Sequence, residues 1–282
     1  MFHTNYSMIT QADKKRFFAE GYLTVPALVP ESLCAPVRES IATYLDVDPF
    51  DPETWHQPNL TAHGIVPLHH AQSMWDLRQY PPLHEVFSVL YETEALWVSM
   101  DRVSFKAPTR GEPVSVDPIH WDVNPAQPQR LSIQGLVYLE DTSEDQGTFC
   151  CAQDIFQNLD ACLAADPEAA RSRRPNTQDQ DIVQVPGERG TLLLWHRLLP
   201  HSSAANRAAS PRWVQYVAMD PVGDAEARAA RLTQYREKRP PPWAVRQNIV
   251  GQQIPEPGDP ARLTPLGRRL VGVDSWGEAP NK

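Results

Sequence analysis

Leu192-Leu193-Leu194-Trp195-His196-Arg197-Leu198-Leu199-Pro200-His201-Ser202-Ser203 opens as an unbroken apolar run and closes on polar, ligand-type side chains. The apolar part, Thr191 to Trp195, reads as a strand. It leads into a histidine, a serine two residues after His201, and Arg212 eleven residues after it. Outward from this segment, Trp97 to Lys106, Ile119 to Val123, Leu131 to Leu139, Gly147 to Ala152 and Trp213 to Met219 also read as strands. Short strands at similar spacing, separated by turn signals, predict an all-β sandwich or barrel.

Helical patterns flank this core. Thr10 to Ala19 reads as a helix with Thr10 as its cap and Gly21 past its end, and Tyr22 to Pro26 as a short strand. Glu31 to Leu45 places Leu33, Val37, Ile41 and Leu45 on one helical face. Residues 46 to 70 read as an irregular loop. Pro82 to Tyr91 reads as a helix with Leu83, Val86, Phe87 and Leu90 inward. A helix, Ile155 to Ala165, and a basic-polar stretch, Arg171 to Gln180, interrupt the strands. Asp224 to Lys238 reads as an amphipathic helix before a proline-rich extended tail. Neither an internal repeat nor a linker divides the chain, so 1–282 is read as one domain: N-terminal helices to about 95, a β core over about 96–222, and a C-terminal helix and tail over about 223–282.

Composition narrows the function. The 282 residues are 41% hydrophobic, enough for a sizeable core, and carry a net charge of −9. That balance argues against nucleic acid as a partner, because phosphate binding requires a basic face. No run of 18 apolar residues marks a membrane span, and no secretory pattern opens the chain. Four cysteines, Cys34, Cys150, Cys151 and Cys162, are too few and too irregular for a disulfide framework. The expected setting is the reduced cytoplasm, with one of the adjacent Cys150 and Cys151 thiols in the core and one outside. Twenty-eight prolines against 13 glycines predict proline-stiffened loops around a compact core.

The chemistry lies in Pro118-Ile119-His120-Trp121-Asp122 taken together with His201. On a strand, residues two apart share a face, about 6.5–7 Å apart. His120 and Asp122 can then reach one metal while Trp121 points away. A distant histidine completes two His and one carboxylate, the facial triad of non-haem Fe(II) oxygenases, which leaves positions open on the metal. The H-x-D pattern alone is weak, and the downstream segment gives it weight. His201 is preferred to His196 as third ligand because the spacing to Arg212 fits from it and Ser203 shares its face. His196 reads as a buried, hydrogen-bonded strand histidine.

These residues resemble the phytanoyl-CoA dioxygenase-type family of Fe(II)/2-oxoglutarate oxygenases. Phe17-Phe18-Ala19-Glu20-Gly21-Tyr22-Leu23-Thr24-Val25-Pro26 is similar to the family's first helix and strand, and Leu263 to Trp276 to the tail of some of its members. The resemblance implies a fold that is mainly β with flanking helices around a double-stranded β-helix (jelly-roll, cupin-like) core. It implies Fe(II) held by His120, Asp122 and His201. It also implies 2-oxoglutarate gripped at its far carboxylate by Arg212 with Ser203, O₂ as oxidant, and a small-molecule substrate that is hydroxylated. A guanidinium fork suits a carboxylate; Arg207 is the rival in that role. Gln134, polar within an apolar strand, is a further candidate for binding the co-substrate. Arg102, Ser104 and Lys106 alternate along one strand, facing either the barrel or solvent, and Tyr138 poses the same choice. His69 and His70 either line the entrance or are solvated loop residues. Asp141 to Gln146 reads as a polar turn. The chain departs from the family where Gln153-Asp154-Ile155-Phe156 and a helix replace a Pro-Gly-Ser-His-like turn, so substrate contacts of relatives do not carry over. The intact ligands together with Arg212 argue against the alternative reading, a non-catalytic jelly-roll metal- or ligand-binding protein, and a hydrolase or isomerase with a cupin-like metal site has no use for Arg212 at its spacing.

Overall fold

The computed structural model describes residues 8–56, 64–110, 118–247 and 254–277. In chain order its elements are α1 (Gln11–Glu20), β1 (Tyr22–Val25), α2 (Glu31–Leu45), β2 (Ile65–Val66), α3 (Gln72–Arg78), α4 (Pro81–Tyr91), β3 (Leu96–Val98), β4 (Val103–Lys106), β5 (Ile133–Tyr138) and β6 (Phe149–Cys151). There follow α5 (Gln153–Gln157), α6 (Leu159–Ala165), α7 (Pro167–Ser172), β7 (Val183–Val185), β8 (Leu192–His196), β9 (His201–Ser203), β10 (Arg212–Tyr216), β11 (Met219–Pro221), α8 (Ala225–Arg236), α9 (Pro242–Arg246) and α10 (Pro265–Val271).

The first turn of the fold is written in the sequence. Thr10 and Asp13 form a capping box on α1, worth about 1 kcal/mol, and Gly21 at φ 84° ends the helix in a left-handed turn. The chain then drops straight into β1, which lies antiparallel to β8 with Tyr22 opposite Trp195. The large sheet runs β1-β8-β5-β10-β4-β2, and β11 pairs with β3 and β5. The small sheet runs β7-β6-β9.

Period-two alternation sorts the side chains between two layers. Ile133 and Val137 on β5 and Leu192 and Leu194 on β8 join the core shared with the helices. Leu136 and Tyr138 on β5, Leu193 and Trp195 on β8, and Val214 on β10 face Phe149, Cys151 and Val185 of the small sheet. Each fully buried Leu, Val or Phe contributes about 1.5–3 kcal/mol. The space between the sheets is therefore a dry chamber lined by two facing strand layers.

Several expectations need correction. Ile119 to Val123 is not a strand; His120 alone makes an isolated antiparallel bridge, to His201. The expected strand Trp97 to Lys106 is two, β3 and β4, and Trp213 to Met219 divides into β10 and β11. Both breaks fall where the Ser99 N–H donates to Ala218 O and the Ala218 N–H to Ser99 Oγ, so the kinks are matched. Arg102 thus precedes β4 rather than sharing it. The loop 46–70 contains β2, and its residues 57–63 lie outside the described residues. The helix expected over Ile155 to Ala165 is broken at Asn158 into α5 and α6, and Arg171 falls in α7. Cys150 and Cys151 are both buried. His69 and His70 are buried too, their backbone N–H groups donating to the Glu256 carboxylate from the C-terminal tail.

Candidate metal centre

His120 and His201 exchange both backbone hydrogen bonds, each 3.0 Å. Such a bonded pair brings two side chains to one face of the ladder, and the two imidazole centroids stand 5.1 Å apart. Asp122 reaches the same point: Oδ1 lies 3.6 Å from His120 Nε2 and Oδ2 lies 3.7 Å from His201 Nε2. The ligand atoms of the three residues all lie within 4.8 Å of one another. Trp121, between them, points away as alternation requires. It is buried among Ala152, Ile155 and Ala169, and its indole N–H donates to Leu198 O at 2.8 Å.

The surroundings prepare the set for a cation. His120 Nδ1 meets Pro118 O at 3.1 Å and His201 Nδ1 meets Leu199 O at 2.9 Å. A carbonyl accepts only a proton, so both Nδ1 atoms carry hydrogen and both Nε2 lone pairs face the centre, the arrangement seen behind metal-bound histidines. Burial works to raise the Asp122 pKa. It is outweighed by the adjoining His120 and His201 imidazoles and by the Gln134 amide, which hold the carboxyl below the usual carboxylate range. Burial holds the His201 imidazole below its ordinary pKa, against the pull of Asp122. Ionised carboxylate and neutral imidazole are the metal-binding forms. Two nitrogens and one oxygen, converging from one side, fit a divalent first-row metal with open positions.

Deeper in the chamber, Arg212 is 1% exposed. Its Nη1 donates to Gly147 O at 2.7 Å and its Nη2 to Ser104 Oγ at 2.9 Å. Its Nε is buried with no hydrogen-bond partner among the described residues. Gly147 has φ 67°, and a Cβ there would stand 3.1 Å from Lys106 Cδ, so glycine permits the turn that aims this carbonyl. Lys106 pairs across the strands with Arg212, and its Nζ donates to Ser203 Oγ at 2.8 Å. Two buried cations side by side, one with an unmet N–H, form a receptor for a carboxylate.

The structure thus gathers His120, Asp122 and His201 at one point, and Arg212, Ser203, Ser104 and Lys106 at a second. Lys106, left open between core and solvent by the sequence, faces inward, as its buried partner Ser104 does. Gln134 stands at the first point: its Nε2 donates to Asp122 Oδ2 at 2.7 Å. Tyr138 is buried, its hydroxyl bonded to Thr148 Oγ1 and Val185 O. Arg207 is exposed. His196 packs between Phe17 and Phe156 at the far side of β8. Arg102 lies over the Trp243 ring. Gln146, read as part of a plain turn, is buried and donates to Pro211 O beside Arg212. Nothing in its local sequence marks that role, which depends on a loop 65 residues away.

Known proteins share this fold. A Dictyostelium discoideum protein carrying the phytanoyl-CoA dioxygenase name is 21% identical over 258 residues, 72% of this chain and 73% of its own. Among solved structures, GlcNAc Inducible Gene 2 (GIG2) of Candida albicans superposes with a TM-score of 0.73 at 12% identity, over 99% of this chain and 79% of that one. HygX of Streptomyces hygroscopicus, solved with nickel and 2-oxoglutarate bound, gives 0.54 at 15% identity, over 76% and 88%. At these identities the likenesses show the fold, a double-stranded β-helix with flanking helices. The sequence model of phytanoyl-CoA dioxygenase matches residues 17–214, from α1 through β10 and including every residue gathered at the two points, and the chain belongs to that family.

Proposed function

We propose that this protein is an Fe(II)- and 2-oxoglutarate-dependent dioxygenase that oxidises a small organic molecule, with hydroxylation as its default outcome. The observation that carries the reading is the pairing of a converging His120–Asp122–His201 set with the orphaned Nε of buried Arg212. Iron with 2-oxoglutarate and O₂ supplies the power to oxidise an unactivated carbon, with succinate and CO₂ as co-products. In this reading His120 and His201 hold the metal through Nε2 and Asp122 through a carboxylate oxygen. Arg212 takes the far carboxylate of 2-oxoglutarate through Nε, with Lys106 adding charge and Ser203 a hydroxyl. Leu136, Phe149, Trp195 and Val214 keep water from the chamber walls, which strengthens the charge pairing inside.

We further infer a cytoplasmic setting, supported by four cysteines too few and too irregularly spaced for a disulfide framework. Among the described residues no helix is long and apolar enough to cross a membrane.

The test uses purified protein with Fe(II) and 2-oxoglutarate. Under argon, a visible charge-transfer band should appear that needs both additions. In air, succinate should form, and faster with an accepted small molecule. The His120→Ala protein is the control. Wild-type protein that gives neither the band nor succinate above this control would remove the reading.

A further inference from the structure

Resting on that reading of the metal centre, we infer that Gln134 and Trp195 form a relay that fixes Asp122 as a one-oxygen ligand. The chemistry of the three groups leaves one polarity. An indole N–H can only donate, and Trp195 Nε1 lies 3.1 Å from Gln134 Oε1. Oε1 must therefore accept, which orients the amide and turns Nε2 toward Asp122. Nε2 donates to Oδ2 at 2.7 Å, the short distance of a hydrogen bond to a charged acceptor. One lone pair of Oδ2 is thereby taken, which leaves Oδ1, 3.6 Å from His120 Nε2, as the better donor to the metal, although Oδ2 lies only 3.7 Å from His201 Nε2.

A carboxylate otherwise has the choice of binding through one oxygen or both. Chelation by both would consume a position that the co-substrate or O₂ needs. The relay biases that choice toward Oδ1 before any metal arrives. Gln134 is placed for this by β5: it pairs with Trp195 across the β5–β8 ladder, so the two side chains stand side by side on the chamber face. The same indole serves a second ligand. The His201 ring packs against both Trp195, at 5.1 Å, and Phe149, stacked on it at 5.6 Å. One tryptophan thus steadies two of the three ligands, His201 by ring contact and Asp122 through Gln134. Gln134 and Trp195 are positioning residues, since both act through the ligands.

The test measures metal rather than turnover. Ni(II) affinity is read by calorimetry on the apo-protein, and the ligand field by the visible absorption of the Co(II) form. Gln134→Met keeps the length of the side chain and removes its amide; Trp195→Phe keeps a ring against His201 and removes the N–H. Loss of such outer partners lowers metal affinity by about 10- to 100-fold, so Gln134→Met should fall in that range with an altered Co(II) spectrum. Trp195→Phe should lose less, and the double variant no more than Gln134→Met alone, because both act on one relay. His120→Ala separates the levels of the argument. If it retains Ni(II), the metal centre itself is misread. If it loses Ni(II) while Gln134→Met keeps wild-type affinity and spectrum, the relay alone is refuted. Additive losses in the double variant refute it as well. Should Gln134→Met fail to fold, Trp195→Phe decides on the same spectrum: an unchanged Co(II) band overturns the relay and a changed one supports it.

Discussion

Removing the Arg212 guanidinium tests the co-substrate pocket most directly, because its geometry separates structural from functional loss. Nη1 and Nη2 each have a partner, Gly147 O at 2.7 Å and Ser104 Oγ at 2.9 Å, whereas Nε has none among the described residues. Arg212→Ala strands two buried acceptors, each costing about 1–3 kcal/mol, so the apo-protein should lose about 2–6 kcal/mol of stability. Loss of a desolvated charged pair costs about 2–5 kcal/mol in binding. At 1.4 kcal/mol per factor of ten, the concentration of 2-oxoglutarate needed for half-saturation should rise at least about 30-fold. Lys106, one strand away, keeps part of the charge and places the expectation toward the lower end of that range. The assay is a titration of 2-oxoglutarate against the Fe(II) protein, read by the charge-transfer band under argon and by succinate in air. Circular dichroism confirms that the variant is folded. Arg212→Lys should fall between the two, since an ammonium cannot span Gly147 and Ser104 while also facing the ligand. Equal half-saturation in wild type and folded Arg212→Ala would refute the assignment. A stability loss alone would leave Arg212 as a strut between β4, β10 and the Gly147 turn.

Three other outcomes follow from the same geometry. Alanine at His120, Asp122 or His201 should each abolish measurable Ni(II) binding in calorimetry, whereas His196→Ala should bind within a few-fold of wild type; the reverse would exchange the two histidines. Arg207→Ala should match wild type in the 2-oxoglutarate titration, because its side chain is exposed and only its backbone N–H is engaged, with Asp145 O at 2.7 Å. Stability of the apo-protein should fall with acid: burial holds both His69 and His70 at about 3, against an ordinary 6.5. Between those values the unfolded chain takes protons the fold refuses, so stability drops as pH falls below about 6.5, by at most about 1.4 kcal/mol per unit per histidine. Glu256, raised by burial, works in the opposite direction, since the fold holds a proton there that the unfolded chain releases. Urea midpoints between pH 7 and 5 should therefore slope less in His70→Gln than in wild type, and an identical slope would count against buried neutral His70.

What could be read from the sequence was what local chemistry decides. Thr10 and Gly21 bounded α1, the 3.6-residue pattern gave α2 its full span from Glu31 to Leu45, and apolar runs placed β5 and β8. The choice of His201 over His196 rested on the spacing to Arg212, and the structure sets His201 beside Asp122 and His196 beside Phe17. What could not be read was partner-dependent. β9 is three residues long and exists because β6 lies beside it. The H-x-D segment carries alternation without being a strand, since a single bridge to His201 does the aligning and Arg173 O receives the Trp121 N–H. Proline was misread for a different reason. Pro81, Pro167, Pro242 and Pro265 each stand at the start of a helix, where a missing N–H costs nothing and a fixed φ helps. A proline-rich tail expected to be extended therefore carries α9 and α10, with α10 packed against β3. Its Glu256 holds His69 and His70 at the edge of α3, while Arg78 of α3 donates to His69 O and Asp101 O. Asp101 lies in the break between β3 and β4, and β4 supplies Ser104 and Lys106. The tail is thus continuous, through hydrogen bonds, with the strand that orients Arg212, a connection to the site that no local pattern in residues 254–277 announces.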